Sequence, residues 1–249
     1  TNNHINYSSI GKMKKHIPNF ITSLNLFSGC IAIVMAFEGA FIWVVFWVIA
    51  AAIFDFFDGL AARVLNAPSK IGKELDSLAD VVSFGVAPSI ALFIMLRNYT
   101  SYAESLTYFQ SYIPYLAFII AVFSALRLAK FNIDERQTTS FLGLPTPANA
   151  IFWVSYVYGM YNVSTTNNWV LFITLVLIPS LSLLMVSEVP MFSFKMKNIK
   201  FKGNEKPLLL IICAIGFLLA CGVSGLAWTI LMYILISTVS AKRQRDSVK

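Results

Sequence analysis

From residue 18 to residue 240 the chain is a succession of long apolar runs, broken only by short clusters of charge, proline and glycine. A helix needs roughly 20 apolar residues to cross about 30 Å of hydrocarbon, and several runs approach that length without the alternation of a membrane strand. With 57% of its residues hydrophobic, 12% charged and a mean hydropathy of +0.71, the chain carries more apolar surface than a water-soluble domain can cover. The expected fold class is therefore all-α, a polytopic membrane bundle of about eight transmembrane helices.

Charges and Pro/Gly breaks place the spans at 18–37, 41–65, 74–96, 113–131, 147–163, 169–187, 207–221 and 225–240. The last two form a nearly continuous run that is split at Cys221-Gly222-Val223-Ser224-Gly225. Charge supports the split: with a cytoplasmic N-terminus, every one of the 19 Lys and Arg except Arg97 falls on the cytoplasmic side or at its helix ends. Seven spans would leave Lys242, Arg243 and Arg245 on the wrong side. The organisation expected is a polar segment over 1–17, a six-helix part over 18–187, a basic cytoplasmic loop over 188–206, two additional helices over 207–240 and a basic tail over 241–249. Residues 1–12 are polar and expected to be disordered, and the first apolar run, with no small-residue cleavage site, is expected to be retained as a span. Within 188–206, Lys195, Lys197, Lys200, Lys202 and Lys206 alternate with Met191, Phe192, Phe194, Met196, Ile199 and Phe201. That pattern suits either an ordinary positive-inside loop or a surface lying on an anionic leaflet.

The same distribution excludes other classes. The +7 net charge flanks membrane spans instead of forming one recognition face, so no nucleic-acid partner is expected. Cys30, Cys213 and Cys221 sit within apolar runs as small buried hydrophobes, not as a disulfide or zinc framework. The only histidines, His4 and His16, lie near the N-terminus, so chemistry within the membrane must use carboxylates, hydroxyls, Lys or Arg.

Carboxylates are present where they are expensive. The second span ends in Phe54-Asp55-Phe56-Phe57-Asp58-Gly59-Leu60-Ala61-Ala62-Arg63, and after a short turn the third opens with Gly72-Lys73-Glu74-Leu75-Asp76-Ser77-Leu78-Ala79-Asp80. Asp55 and Asp58 are three apart and Asp76 and Asp80 four apart, which puts each pair on one face of its helix. The short loop makes the two helices antiparallel neighbours, so the four acids converge at the cytoplasmic side. One buried acid is as readily structural or proton-carrying as catalytic. Four in low dielectric need compensation, and with oxygen ligands and no nearby Cys or His the partner expected is a hard divalent cation. Mg²⁺ or Mn²⁺ is expected ahead of Ca²⁺, and the number of acids permits two ions. Gly59 and Ala62 on the acid face leave room for a bulky ligand to approach the backbone, or for close helix packing, and Arg63 adds a phosphate-directed cation.

The pattern Asp55-x-x-Asp58-Gly59-x-x-Ala62-Arg63, eight residues, Gly72, three residues, Asp76, three residues, Asp80 resembles the complete motif of the CDP-alcohol phosphotransferases. The resemblance implies that Asp55, Asp58 and Asp76, with help from Asp80, hold divalent metal, and that Asp80 is the general base. It implies further that Asp58, Gly59, Ala62, Arg63 and Gly72 shape the CDP pocket, and that 18–187 is the catalytic core. Flanking segments resemble the membrane-integral phosphatidylserine synthases of that family. These are Pro18-Asn19-x-x-Thr22-x-x-Asn25-x-x-x-Gly29, Ser83-Phe84-Gly85-Val86-Ala87-Pro88, Arg127-Leu128-Ala129-Lys130-Phe131-Asn132 and Phe141-Leu142-Gly143-Leu144-Pro145-Thr146-Pro147-Ala148. This adds Asn19, Thr22 and Asn25 to the expected CDP pocket. It also implies CDP-diacylglycerol and L-serine as substrates among membrane lipids, a homodimer, and an address in the cell inner membrane with the active site and both termini facing the cytoplasm.

Serine is a zwitterion, so its pocket needs a cation for the carboxylate, and Arg127, Lys130 and Arg136 cluster on the catalytic side. Each can equally be a snorkelling anchor, and Asn132 either a helix-end cap or a substrate contact. The same chemistry with glycerol phosphate, inositol phosphate or choline as acceptor is the nearest alternative. A cation or proton transporter using the membrane aspartates is the alternative from another class.

Overall fold

Two helices joined by a tight reversal form the first layer of the bundle. α1 (Asn2–Phe37) is closed by a Schellman turn: Ala40 N–H bonds Met35 O (2.9 Å), Gly39 N–H bonds Ala36 O (3.0 Å), and Gly39 takes φ 72°. α2 (Phe41–Val64) then returns along α1, the most extensive helix pair in the structure. The computed structural model describes residues 2–67, 69–99, 108–133, 141–164, 168–192 and 205–246. Most of the basic run over 188–206, together with Arg136, lies outside them. The N-terminal residues expected to be disordered are helical from Asn2, continuing the first span back into polar sequence.

α2 ends with the same device that closes α1. Ala67 N–H bonds Ala62 O (3.0 Å) and Asn66 N–H bonds Arg63 O (3.2 Å), with Asn66 at φ 48°, one of the few residue types that tolerate the left-handed region. Ser69 then caps α3 (Lys70–Asp80), its hydroxyl accepting from Gly72 N at 2.9 Å. These two local motifs set the hairpin that carries all four aspartates.

α3 continues without a break through a π-helical segment (Val81–Val86) into α4 (Ala87–Arg97), making one 28-residue apolar stretch, Lys70–Arg97. The cause is Pro88, which has no N–H to give and crowds the preceding turn. The chain widens just ahead of it, Ala87 N–H reaching back five residues to Val82 O. Small residues admit the neighbours here: a Cβ at Gly29 of α1 would lie 2.8 Å from Ser83 Cα, and one at Gly85 would lie 3.1 Å from Ser124 Cβ.

A 3₁₀ turn (Ile113–Phe118) leads into α5 (Ile119–Ile133), which is followed by a two-residue strand β1 (Phe141–Leu142), α6 (Thr146–Ser164) and α7 (Asn168–Val186). β2 (Pro190–Met191) pairs antiparallel with β1. α8 (Glu205–Cys221), a 3₁₀ turn (Gly222–Ser224) and α9 (Gly225–Asp246) complete the described chain. Among the described residues, six helices are long and apolar enough to cross a membrane, the last of them the whole stretch Lys206–Ser240. That stretch is not one rod. A Cβ at Gly225 would collide with the Phe217 carbonyl, eight residues earlier, which is impossible along a straight helix, and α8 packs against α9. Gly222, at φ 61°, makes the reversal. α6 is the central helix: Phe152, Trp153, Val154 and Val157 are all buried, and protein neighbours replace lipid around it.

Outside, the pattern of a soluble protein is inverted. Phe20, Phe27, Trp43, Phe46, Trp169 and Leu219 all point outward, as lipid-facing side chains do. Cys30 and Cys221, expected to be buried, are also exposed; a free thiol is apolar enough for that surface.

Candidate active site

α2 and α3 bring their acids together below the hairpin turn. One carboxylate oxygen from each of Asp55, Asp76 and Asp80 lies within 4.8 Å of the others. Asp58, three residues after Asp55, is rotated about 60° around α2 and faces the adjoining cavity instead, 6% exposed. So the quartet read from the spacing divides into a triad, with Asp80 buried and Asp55 and Asp76 half-buried, and a fourth, buried acid, Asp58, that lines a neighbouring pocket together with Asp76.

Polar atoms in the group lack partners. Asp58 Oδ2 and Asp76 Oδ1 are buried and make no hydrogen bond among the described residues. Unpaired carboxylate oxygens in an apolar bundle cost several kcal/mol each unless a cation meets them. The donor set consists of oxygen alone, which suits a hard divalent ion, so the residues present fit a metal at this point.

Asp80 is the most constrained member. Asn25 of α1 donates from Nδ2 to Asp80 Oδ1 at 3.0 Å, and Ser83 Oγ donates to Asn25 O at 2.9 Å. Asn25, expected in the CDP pocket, is fully buried behind Asp80 and does not line the cavity beside the acids. It fixes the rotamer of the carboxylate and leaves Oδ2 to the site.

The pocket itself is a cavity of about 220 Å³ between three helices. α1 supplies Pro18, Asn19 and Thr22, α2 supplies Asp58, Gly59 and Ala62, and the hairpin and α3 supply Ala67, Ser69, Gly72, Lys73 and Asp76. A Cβ at Gly59 would meet no atom within 4 Å, so this glycine opens space for a ligand and does not serve helix packing. Gly72 is the opposite case. A Cβ there would stand 2.9 Å from Asn19 Oδ1 and 2.8 Å from Ser69 Oγ, so its absence lets Asn19 reach the pocket wall. Arg63 is exposed at the rim, its Nε donating to Gly59 O at 2.9 Å, and is not a lining residue. Lys73, which sequence reasoning did not single out, lines the cavity and donates to Asn132 O at 3.1 Å.

The residues expected to bind serine separate by their partners. Lys130 Nζ donates to Val186 O at 3.1 Å, and Asn132 Nδ2 donates to Ser77 Oγ at 2.8 Å, so both tie α5 to its neighbours. Arg127 differs. It is 7% exposed, its Nε makes no hydrogen bond among the described residues, and Asp80 is within electrostatic reach. With Lys130, Leu142, Met185 and Ser187 it lines a small cleft between α5 and the end of α7.

Fold and site together define a membrane-embedded helical protein whose buried carboxylates stand beside a cavity able to take a phosphate ligand. The chain belongs to the CDP-alcohol phosphatidyltransferase family, whose sequence profile matches residues 15–180. Among its relatives, the CDP-diacylglycerol–serine O-phosphatidyltransferase of Helicobacter pylori (strain ATCC 700392 / 26695) is 35% identical over 200 residues, 78% of each chain. The protein of the same name from Bacillus subtilis (strain 168) is 37% identical over 136 residues, 53% of this chain and 70% of its own. The one from Methanocaldococcus jannaschii is 35% identical over 141 residues, 56% of this chain and 59% of its own.

Proposed function

We propose that this protein transfers the phosphatidyl group of CDP-diacylglycerol to the hydroxyl of L-serine, giving phosphatidylserine and CMP. The observation that carries the reading is the pairing of the carboxylate triad with a buried, incompletely bonded arginine, Arg127, near Asp80. The relatives named for this reaction supply the acceptor.

Asp55, Asp58, Asp76 and Asp80 would hold one or two divalent ions, Mg²⁺ or Mn²⁺, which would supply positive charge against the pyrophosphate and the leaving CMP. The chain's own groups do the rest. Asn19, Thr22, Gly59, Ala62 and Gly72 shape the nucleotide pocket, with Lys73 on its wall and Arg63 at its rim. Arg127 holds the serine carboxylate, which places the hydroxyl toward Asp80. In the net transfer the serine oxygen bonds to the phosphatidyl phosphorus, the phosphorus–oxygen bond to CMP breaks, and the hydroxyl proton passes to Asp80 Oδ2. On the outer side of the same α1–α2 pair, an apolar groove of about 540 Å³ lined by Ile21, Phe54, Phe57 and Val64 is suited to acyl chains leaving sideways into the bilayer.

The reading places the protein in the cell inner membrane as a homodimer, with the acid site and both termini on the cytoplasmic side. Phosphorylated acceptors require a denser set of cations around the acids than Arg127, Lys73 and Arg63 provide. The test is an acceptor panel with CDP-diacylglycerol and the purified full chain, scoring CMP release. Release dependent on serine, and not on glycerol phosphate, inositol phosphate or choline, is expected. Ion flux without CMP release would favour a transporter.

A further inference from the structure

The end of α5 is fastened to α3 by a closed circuit of hydrogen bonds, and one member of the circuit stands in the wall of the cavity between α1, α2 and α3. Lys73 Nζ donates to Asn132 O at 3.1 Å, Asn132 Nδ2 donates to Ser77 Oγ at 2.8 Å, and Ser77 Oγ donates to Lys73 O at 3.2 Å. Lys73 and Ser77 are four apart and so share one face of α3. Asn132 lies in the last turn of α5, the helix that also carries Arg127. The close packing of α3 is against α1 and the π-helical segment, so between α3 and α5 it is these side chains that make the bridge.

The bridge fixes where the ammonium sits. A lysine on an exposed helix surface has a long flexible stem, and holding it still costs rotamer entropy. Here Nζ is anchored at the end of α5, and Asn132 is itself held by Ser77. An ammonium has three N–H groups and no acceptor, so the bond to Asn132 O leaves two of them for an anion. Lys73 is also the only cation among the residues lining the cavity. Arg63 stands at the rim with its Nε given to Gly59 O, and the other charged lining residues, Asp58 and Asp76, are acids. Ser77 does not line the cavity, so it offers a way to disturb Lys73 while leaving the lining intact.

We infer that Lys73 binds a phosphate of the nucleotide that occupies this cavity, and that the end of α5, through Asn132 and Ser77, holds the ammonium in place for it. This rests on the reading of the cavity as the CDP pocket of the donor. A pyrophosphate is an anion, and the acids lining the cavity carry the same sign, so a cation in the wall offsets their repulsion. A point charge of this kind acts on phosphate and not on base or ribose, and therefore separates CMP from cytidine. The same bridge ties the donor pocket to the helix that carries Arg127.

The experiment displaces labelled CDP-diacylglycerol from the full chain in detergent with CMP or with cytidine, at one fixed Mg²⁺ concentration. Lys73→Met keeps the stem and removes the charge. It is expected to weaken CMP about tenfold, the size of one charge-assisted hydrogen bond, with cytidine unchanged within about twofold. Ser77→Ala is expected to weaken CMP by a smaller factor, about threefold, again with cytidine unchanged, and to add nothing in the Lys73→Met background. CMP affinity within about twofold of wild type in Lys73→Met, or an equal loss of CMP and cytidine, overturns the phosphate assignment, because the lysine would then only tie two helices. A full effect of Lys73→Met with none from Ser77→Ala overturns the part given to α5. If Lys73→Met does not fold, Ser77→Ala decides: a loss confined to CMP supports the proposal and an unchanged ratio of CMP to cytidine affinity overturns it. Wild-type protein that binds cytidine as tightly as CMP, or binds neither, would instead overturn the reading of the cavity as the CDP pocket.

Discussion

Asp80 and Asp58 are both carboxylates on the same hairpin, but their surroundings give them different work. Asp80 is clamped at one oxygen by Asn25, itself braced by Ser83, whereas Asp58 lines the cavity between α1, α2 and α3 and has a buried oxygen with no hydrogen bond among the described residues. Asp80→Asn keeps the shape and a possible ligand oxygen but cannot take the proton. We predict turnover lower by roughly a hundredfold or more with CDP-diacylglycerol binding retained, whereas Asp58→Asn weakens metal and nucleotide binding together. Steady-state kinetics alongside binding of labelled CDP-diacylglycerol separates the two; rescue of Asp80→Asn by excess Mn²⁺ would make Asp80 a ligand only. Gly59 offers a cleaner test of the pocket, since a side chain there meets no protein atom. Gly59→Val should leave thermal stability within about 1 kcal/mol of wild type, because nothing is displaced, while raising the KM for CDP-diacylglycerol at least about tenfold. A large loss of stability with an unchanged KM would mean that Gly59 is a packing residue.

At the scale of elements, the hairpin was readable from the chain and its supports were not. The i, i+3 and i, i+4 spacings of the aspartates and the short turn between the second and third spans are local patterns with local physics, and each has its counterpart in the structure, whereas the roles of Asn66 and Ser69 in closing and capping the helices emerge only there. The π segment is different. Ser83-Phe84-Gly85-Val86-Ala87-Pro88 was read for its resemblance alone, although a proline inside an apolar span is a sign that the helix must change its winding there. Asn25 behind Asp80, the split between Arg127 and Lys130, and the contact of Tyr233 with the strand pair depend on helices far apart in sequence, which no spacing rule reaches. The glycine contacts make this layer testable. Gly29 faces Ser83 so closely that Gly29→Val forces α1 away from the segment bracing Asn25. We predict destabilisation of about 1–3 kcal/mol by overpacking, read as a lower midpoint of thermal unfolding in detergent. Because the same displacement slackens the Asn25–Asp80 bond, turnover should fall as well, even at temperatures where the variant is fully folded. An unchanged midpoint would show that the contact yields without cost.

In the whole molecule, the cationic residues are distributed unevenly about the membrane-spanning helices. The helix reversal at Gly222–Ser224 returns the chain to the side on which α7 ends, so the tail with Lys242, Arg243 and Arg245 joins the face that holds the catalytic hairpin. A straight 35-residue helix over Lys206–Ser240 would span about 50 Å, far beyond the hydrocarbon thickness, and would carry those cations to the opposite surface against the positive-inside bias. Topology therefore tests the fold and the proposed function together, because CDP-diacylglycerol presents its nucleotide, and serine is available, on one side only. A cysteine introduced at Ser69, in the hairpin turn, and a reporter fused after Lys249 are predicted to give the same cytoplasmic address. Accessibility of the Ser69→Cys thiol to a membrane-impermeant maleimide should appear only after the cells are opened. If the C-terminal reporter is found outside while Ser69→Cys is inside, the reversal at Gly222 is wrong, and α9 can no longer pack against α8, α6 and β2 as it does here.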